Sequence, residues 1–165
     1  MKTYIGTKTI KANPMNRQEY NDYRGWELPS GENGNDEGYL VEYLDGGQAN
    51  HPDHAGYISW SPVNVFKNAY RPISCMTFGD ALVMLKQGLK VTRAGWNGKD
   101  MFIYYVPENY YPAVRNSNGT MLGEFPDDMV PYGAYLAMKT AQGNVVPWLA
   151  SQTDVLAEDW AVVQA

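Results

Sequence analysis

Two short tryptophan-bearing segments hold the residues of this chain best suited to chemistry. One reads Arg93-Ala94-Gly95-Trp96-Asn97-Gly98, and the other reads Trp148-Leu149-Ala150-Ser151-Gln152-Thr153-Asp154-Val155-Leu156-Ala157-Glu158-Asp159-Trp160. An indole offers a flat face for a nucleobase, a contact worth roughly 1–3 kcal/mol per stacked base. Arg93 can grip a phosphate through two parallel hydrogen bonds, and Asn97 can read donors and acceptors on a base edge. Gly95 and Gly98 let the backbone turn sharply or approach a ligand closely. Ser151, Gln152 and Thr153 set hydroxyls and an amide at an expected helix start, where unpaired N–H groups and the dipole favour an anion. Asp154 opposes a phosphate there; it suits a ribose hydroxyl or simply complements the dipole. The set describes a pocket for a planar, polar, phosphorylated ligand. Two plainer readings compete: Trp96 as a plug in a hairpin core, and Ser151 as a helix cap alone.

Catalytic chemistry finds no comparable support. The sequence lacks a glycine-rich loop ending in Lys-Ser/Thr and lacks Gly-x-Ser-x-Gly. Asp127-Asp128 and Glu158-Asp159 are adjacent acids, and neighbours on a strand face opposite ways, so each pair reads as one solvent charge and one cap. His51-Pro52-Asp53-His54 has metal-like residue types, but a zinc site draws three or four protein ligands and no further histidine exists to complete one. Cys75 is the single cysteine, which excludes an internal disulfide and a cysteine-based zinc site. No catalytic residue, metal or cofactor is expected.

Local signals place these segments on elements. Thr77 with Asp80 forms a capping pattern and Gly88 a stop, predicting a helix whose apolar face carries Phe78, Leu82, Leu85 and Leu89, with Ala81 beside them. Strands are expected at 90–93, 101–106, 133–141, 144–147 and 160–163, with Gln142-Gly143 as a two-residue hairpin turn. Ser151, with Asp154 three residues on, predicts a last short helix. The stretch 109–130 reads as a long irregular loop. Upstream, strands are expected at 4–11, 39–44 and 57–60. A helix there starts at Asn16 with Glu19 and stops at Gly25, and a second is led by Ser61-Pro62. The expected class is α+β: a small antiparallel sheet on one principal helix in residues 75–165, preceded by a small β-rich module in residues 1–74.

Composition sets the outer bounds. A hydrophobic fraction of 44% with 19% charged residues describes a chain with a packed core. The net charge of −5, with neither half basic, argues against polymeric nucleic acid or an acidic membrane as partner. Thirteen tyrosines against four phenylalanines fit rings with one wet end, as at interfaces and ligand sites, and fit strands equally well. No apolar signal core or membrane-length run is present, so a cytoplasmic location is expected.

Residues 76–163 resemble the Thoeris anti-defence type two family of small phage and prophage proteins. The resemblance runs through Thr77-Phe78-Gly79-Asp80-Ala81-Leu82, the Arg93 to Gly98 motif and Met101-Phe102-Ile103-Tyr104. It continues through Tyr135-Leu136-Ala137-Met138-Lys139-Thr140 and Val146-Pro147-Trp148 to Asp154-Val155-Leu156-Ala157-Glu158-Asp159-Trp160. It implies a non-enzymatic sponge that binds cyclic ADP-ribose isomers made by bacterial immune enzymes; some relatives also hold cyclic dinucleotides. It further implies a homo-oligomer, typically a tetramer, with pockets between protomers, acting in the infected or lysogenic host. Carried over by position, Trp96 and Trp148 are the stacking candidates, and Arg93, Asn97, Ser151, Thr153 and Asp154 the polar contacts. Residues 1–74 resemble a small module of prophage-encoded proteins through Tyr4-Ile5-Gly6-Thr7-Lys8 and Gly38-Tyr39-Leu40-Val41-Glu42-Tyr43, with no role implied.

Overall fold

A computed structural model describes residues 1–164, which fold as two compact units, the first Met1–Tyr70 and the second beginning at Arg71. Both mix helices with antiparallel strands, so the chain is α+β. The division falls four residues before the expected one. Residues 71–76 pair inside the second unit: Val162 N–H donates to Ile73 O, and Met76 bridges Trp160.

The first unit is a three-stranded sheet in the order β1 (Ile10–Pro14), β2 (Gly38–Tyr43), β3 (Tyr57–Pro62). Helix α1 (Arg17–Arg24) begins at a complete capping box between Asn16 and Glu19. Tyr20 from α1 buries against Leu40 and Ile58 on one sheet face. Helix α2 (Val63–Ala69) lies against β2 and β3, with Phe66 stacked 3.9 Å from Tyr39. Ser61 stays in β3 and caps nothing; Pro62 occupies the cap position without a side-chain bond. The expected strand at 4–11 begins only at Ile10, leaving residues 1–9 without regular structure.

The second unit is built on α3 (Phe78–Lys86) and a five-stranded sheet. Its strands are β4 (Val91–Arg93), β5 (Phe102–Val106), β8 (Tyr135–Lys139), β9 (Val145–Pro147) and β10 (Trp160–Val162), in the order β10-β4-β5-β8-β9. Thr77 and Asp80 close a capping box on α3. Gly88 ends the helix at φ 85°, with Gly88 N–H donating to Leu85 O and Leu89 N–H to Met84 O. Ala81, Met84 and Leu85 bury against Val91, Ile103, Met138 and Trp160. Leu89 is exposed and Met84 takes its place in the core, because the chain has left the helix by residue 88 and the face is completed one turn earlier.

Strand pairing takes in both ends of the expected loop 109–130, and 113–125 between them stays irregular. Strands β6 (Asn109–Pro112) and β7 (Met129–Tyr132) pair in the register of β5 and β8, so one hairpin continues through Pro107-Glu108 and Gly133-Ala134. A 3-10 turn at Pro126–Asp128 precedes β7. The β8–β9 hairpin has a three-residue loop, Ala141-Gln142-Gly143, rather than two: Gly143 N–H donates to Thr140 O and Thr140 N–H to Asn144 O, with Gly143 at φ 89°. Among the described residues, no helix is long and apolar enough to cross a membrane.

Leu85 has no exposed surface, and the core cluster it belongs to draws on α3 and four strands. Leu85→Ala is expected to destabilise the second unit by about 2–5 kcal/mol. A denaturant titration followed by tryptophan fluorescence measures this, and a loss below 1 kcal/mol contradicts the core assignment.

Candidate functional site

Strand β4 ends in Arg93, whose guanidinium sits between two carboxylates. Nη1 donates to Asp154 Oδ1 at 2.7 Å and Nε to Asp159 Oδ1 at 2.8 Å. Asp159 Oδ2 accepts Gly95 N–H at 2.7 Å, which fixes the turn that follows the strand. A Cβ at residue 95 would stand 3.0 Å from that same oxygen and 3.3 Å from Arg93 Nη2, so a larger residue there would press on the ion pair.

Asp154 is buried and spends both oxygens inside the protein. Oδ1 receives Arg93 and Trp96 Nε1 (3.2 Å); Oδ2 receives the Ser151 amide (3.0 Å) and hydroxyl (2.6 Å). Ser151 and Asp154 thereby form the capping box of α4 (Gln152–Val155), a single turn. So short a helix sums few peptide dipoles, and the Asp154 N–H is taken by Ser151 Oγ. The anion site expected at this terminus is correspondingly reduced.

Burial alone would raise the Asp154 carboxyl. Hydrogen bonds from the Ser151 hydroxyl, then Arg93, the Ser151 amide and Trp96, outweigh it and bring the pKa down to about 2. The Arg93 hydrogen bond is the main cause that lowers Asp159, and Asp159 in turn does most to raise Arg93.

Three tryptophans meet around this network. Trp160 is fully buried and donates Nε1–H to Asp154 O at 3.0 Å. Trp96 meets it edge-to-face at 5.4 Å between centroids, Trp148 at 6.0 Å, and Trp96 and Trp148 meet at 6.2 Å. Phe78 from α3 packs against both Trp148 and Trp160. Trp96 and Trp148 remain half-buried, each with part of its ring at the surface.

The residues singled out from sequence therefore separate into groups. Arg93, Trp96, Trp148, Ser151 and Asp154 lie together. Asn97 and Thr153 are exposed beside them, and Thr153 Oγ1 lies 2.8 Å from Ser151 Oγ. Arg93 departs from the expected two-pronged phosphate grip, because both Nε and Nη1 are committed to aspartates and Nη2 alone has no carboxylate partner among the described residues. Sequence reasoning missed Trp160 as the hub and Asp159 as the anchor of the turn. The one available signal for Asp159 was an arginine on a strand with no carboxylate nearby in sequence.

No group of three or more His, Cys, Asp or Glu among the described residues is placed to hold a metal. Two shallow hollows lie elsewhere: a polar groove of about 390 Å³ on the first unit, lined by Lys11, Asn13, Glu42 and His54, and a depression of about 190 Å³ between Leu82, Leu85, Tyr105 and Tyr135. His54 bridges Glu42 at 3.3 Å and Tyr23 Oη at 2.9 Å, a clasp for the 50–56 loop.

A depressed Asp154 pKa fixes the sign of an acid effect. Its stabilisation is fully present above the ordinary carboxylate value of 3.8 and is lost as pH falls toward about 2. The expected loss is ~1–2 kcal/mol across that window. Thermal unfolding of the wild type and Asp154→Asn between pH 5 and pH 2 measures it; an acid slope that is equally steep in both proteins contradicts this role for Asp154.

A family model described as Tad2-like, the Thoeris anti-defense 2-like domain, matches residues 76–163. Thoeris anti-defense 2 of Bacillus phage SP01 is 44% identical over 88 residues, covering 53% of this chain and 94% of that protein. The tryptophan cluster and its ionic anchor lie wholly inside the matched segment. The chain belongs to the Thoeris anti-defense 2-like family of phage anti-defence proteins.

Proposed function

We propose that the second unit is a non-enzymatic sponge that binds and sequesters cyclic ADP-ribose-type immune signals, with cyclic dinucleotides as a second ligand class, inside the bacterial host. The observation that carries the reading is the match to nearly the full length of a phage anti-defence protein, with the aromatic cluster within it. The local chemistry supports it. Trp96 and Trp148 present indole surface at the rim, and Asn97, Ser151 and Thr153 offer exposed neutral donors and acceptors. Arg93 Nη2 adds one charged donor, while Asp154 holds Trp96 and Ser151 in place rather than meeting ligand.

The rim is also apolar. Leu149 is 92% exposed and Leu156 76%, with Val145, Val146 and Val155 nearby in sequence and also exposed. Surface of this kind calls for cover, and a second protomer over it would wall a pocket that one copy leaves open. A homo-oligomer, with a tetramer as the family precedent, is therefore part of the proposal. Sequestration requires tight binding, roughly −11 to −12 kcal/mol for low-nanomolar affinity. Stacking on two indoles inside a preformed interprotomer pocket is a physical route to that figure.

Ligand capture and release tests the reading. The purified protein is incubated with cyclic ADP-ribose isomers or cyclic dinucleotides, freed of unbound material and heat-denatured, and the released nucleotide is identified by mass spectrometry. Intact nucleotide at stoichiometric yield is expected. Cleaved product beyond one equivalent makes the protein a hydrolase, and no retention at all makes it an interaction protein. Trp96→Ala is expected to lose at least ~1–3 kcal/mol of affinity at unchanged assembly mass. Because Trp96 also packs on Trp160, thermal unfolding of the variant is the necessary control. Unchanged affinity removes Trp96 from the site.

A further inference from the structure

Residues 1–9 combine strand-forming sequence with the absence of any strand partner. Tyr4 is 85% exposed and Ile5 99%, in a run of Thr, Tyr and Ile that continues directly into β1. The reason lies in β2. Extending the β1–β2 register backwards from Ile10↔Tyr43 would set Thr9 to Tyr4 opposite residues 44–49. Gly46 and Gly47 sit there at φ 123° and 96°, so the chain turns away and β2 ends at Tyr43. Lys8 is nevertheless tied down, its Nζ 2.8 Å from Asp45 and over the Tyr43 ring. The segment thus starts from an anchored point on the outer strand of the sheet.

From these observations we propose that residues 2–10 of two copies pair antiparallel about a two-fold axis at Gly6, joining their three-stranded sheets into one. Parity supports this register. Met15 N–H donates to Gly38 O, so odd residues of β1 turn their backbone groups to β2 and even residues turn theirs to the open edge. Continued backwards, the open edge carries the N–H and C=O of residues 2, 4, 6, 8 and 10, none of them proline. Pairing about Gly6 sets Tyr4 opposite Lys8, Ile5 opposite Thr7, Thr3 opposite Thr9 and Lys2 opposite Ile10. No like charges face each other, and each Lys meets an aromatic or apolar partner. Gly6 has nothing within 4 Å of a Cβ built on it, so the axis has room for a side chain.

Disulfide trapping in the full-length protein tests the arrangement. All variants carry Cys75→Ser, which removes the exposed native thiol. Across the axis the two Gly6 Cα atoms stand about 5.5 Å apart in a hydrogen-bonded pair, within reach of a disulfide. The two Lys2 Cα atoms lie about 27 Å apart along the strands. Gly6→Cys is expected to give a covalent dimer on mild oxidation and Lys2→Cys none. Adding Tyr4→Pro to Gly6→Cys removes an edge N–H and should return the dimer to background. No dimer from either cysteine, dimers from both, a dimer from Lys2→Cys alone, or a Gly6→Cys dimer indifferent to Tyr4→Pro each overturns the proposal. Nucleotide capture by the second unit is not involved in the readout, so failure here leaves the proposed function untouched.

Discussion

A guanidinium held between two carboxylates organises the second unit. Arg93 stands at the end of a central strand, while Asp154 and Asp159 belong to the last turn of helix and the approach to the last strand. Without that cation, each aspartate would lose a charged hydrogen-bond donor, and its carboxyl would be held less far below the ordinary carboxylate range. With it, the segment after β4 and the C-terminal strand are drawn onto the same edge of the sheet. Removing one partner of such a network costs more than the network contributes, because a charge is left behind without its complement. The three groups therefore behave as a unit, and substitutions within it are not expected to add.

The tryptophans depend on that unit. Trp160 fills the centre of the core, and its indole N–H reaches Asp154 O. Trp96 is aimed by its own hydrogen bond to Asp154 Oδ1, and Trp148 is placed by the pairing of its amide with Leu136 O. Edge-to-face contacts among the three add roughly 0.5–1.5 kcal/mol per pair beyond the area they bury. One aspartate thus joins an ion pair, a helix cap and two indole hydrogen bonds. Under the proposed function, these contacts would orient Trp96 and Trp148 before a ligand arrives, the kind of preorganisation that lowers the entropic cost of binding.

What the sequence disclosed and what it withheld follow the range of the interactions. The capping boxes at Asn16, Thr77 and Ser151 were readable because cap and partner lie three residues apart. The principal helix and the strands around it were readable from pattern. The partners of Arg93 were not, since they lie 61 and 66 residues away and nothing local marks an aspartate as one of them. The paired ends of the stretch 109–130 were misread as loop because they inherit their register from β5 and β8, while the proline- and glycine-rich sequence carries weak strand signals. Residues 4–9 failed in the opposite direction: their propensity for strand was read correctly, but a strand needs a partner, and Gly46-Gly47 withdraws the one within the chain.

The charge count around the cluster constrains how any ligand could be held there. One guanidinium faces two carboxylates, and Glu158 adds a third acid at the surface. A phosphate brought to this edge would meet net negative charge, with one guanidinium nitrogen to offset it. Coulombic attraction is therefore a poor candidate for the main source of affinity at this edge of a single protomer. Recognition would have to rest on stacking, on neutral donors such as Asn97, Ser151 and Thr153, and on groups contributed from elsewhere in an assembly. A ring system with its anionic groups turned away from the aspartates satisfies that demand better than a compact, highly charged phosphate. Under the proposed function, the same aspartates that fix the tryptophans would act as a filter on ligand shape and charge.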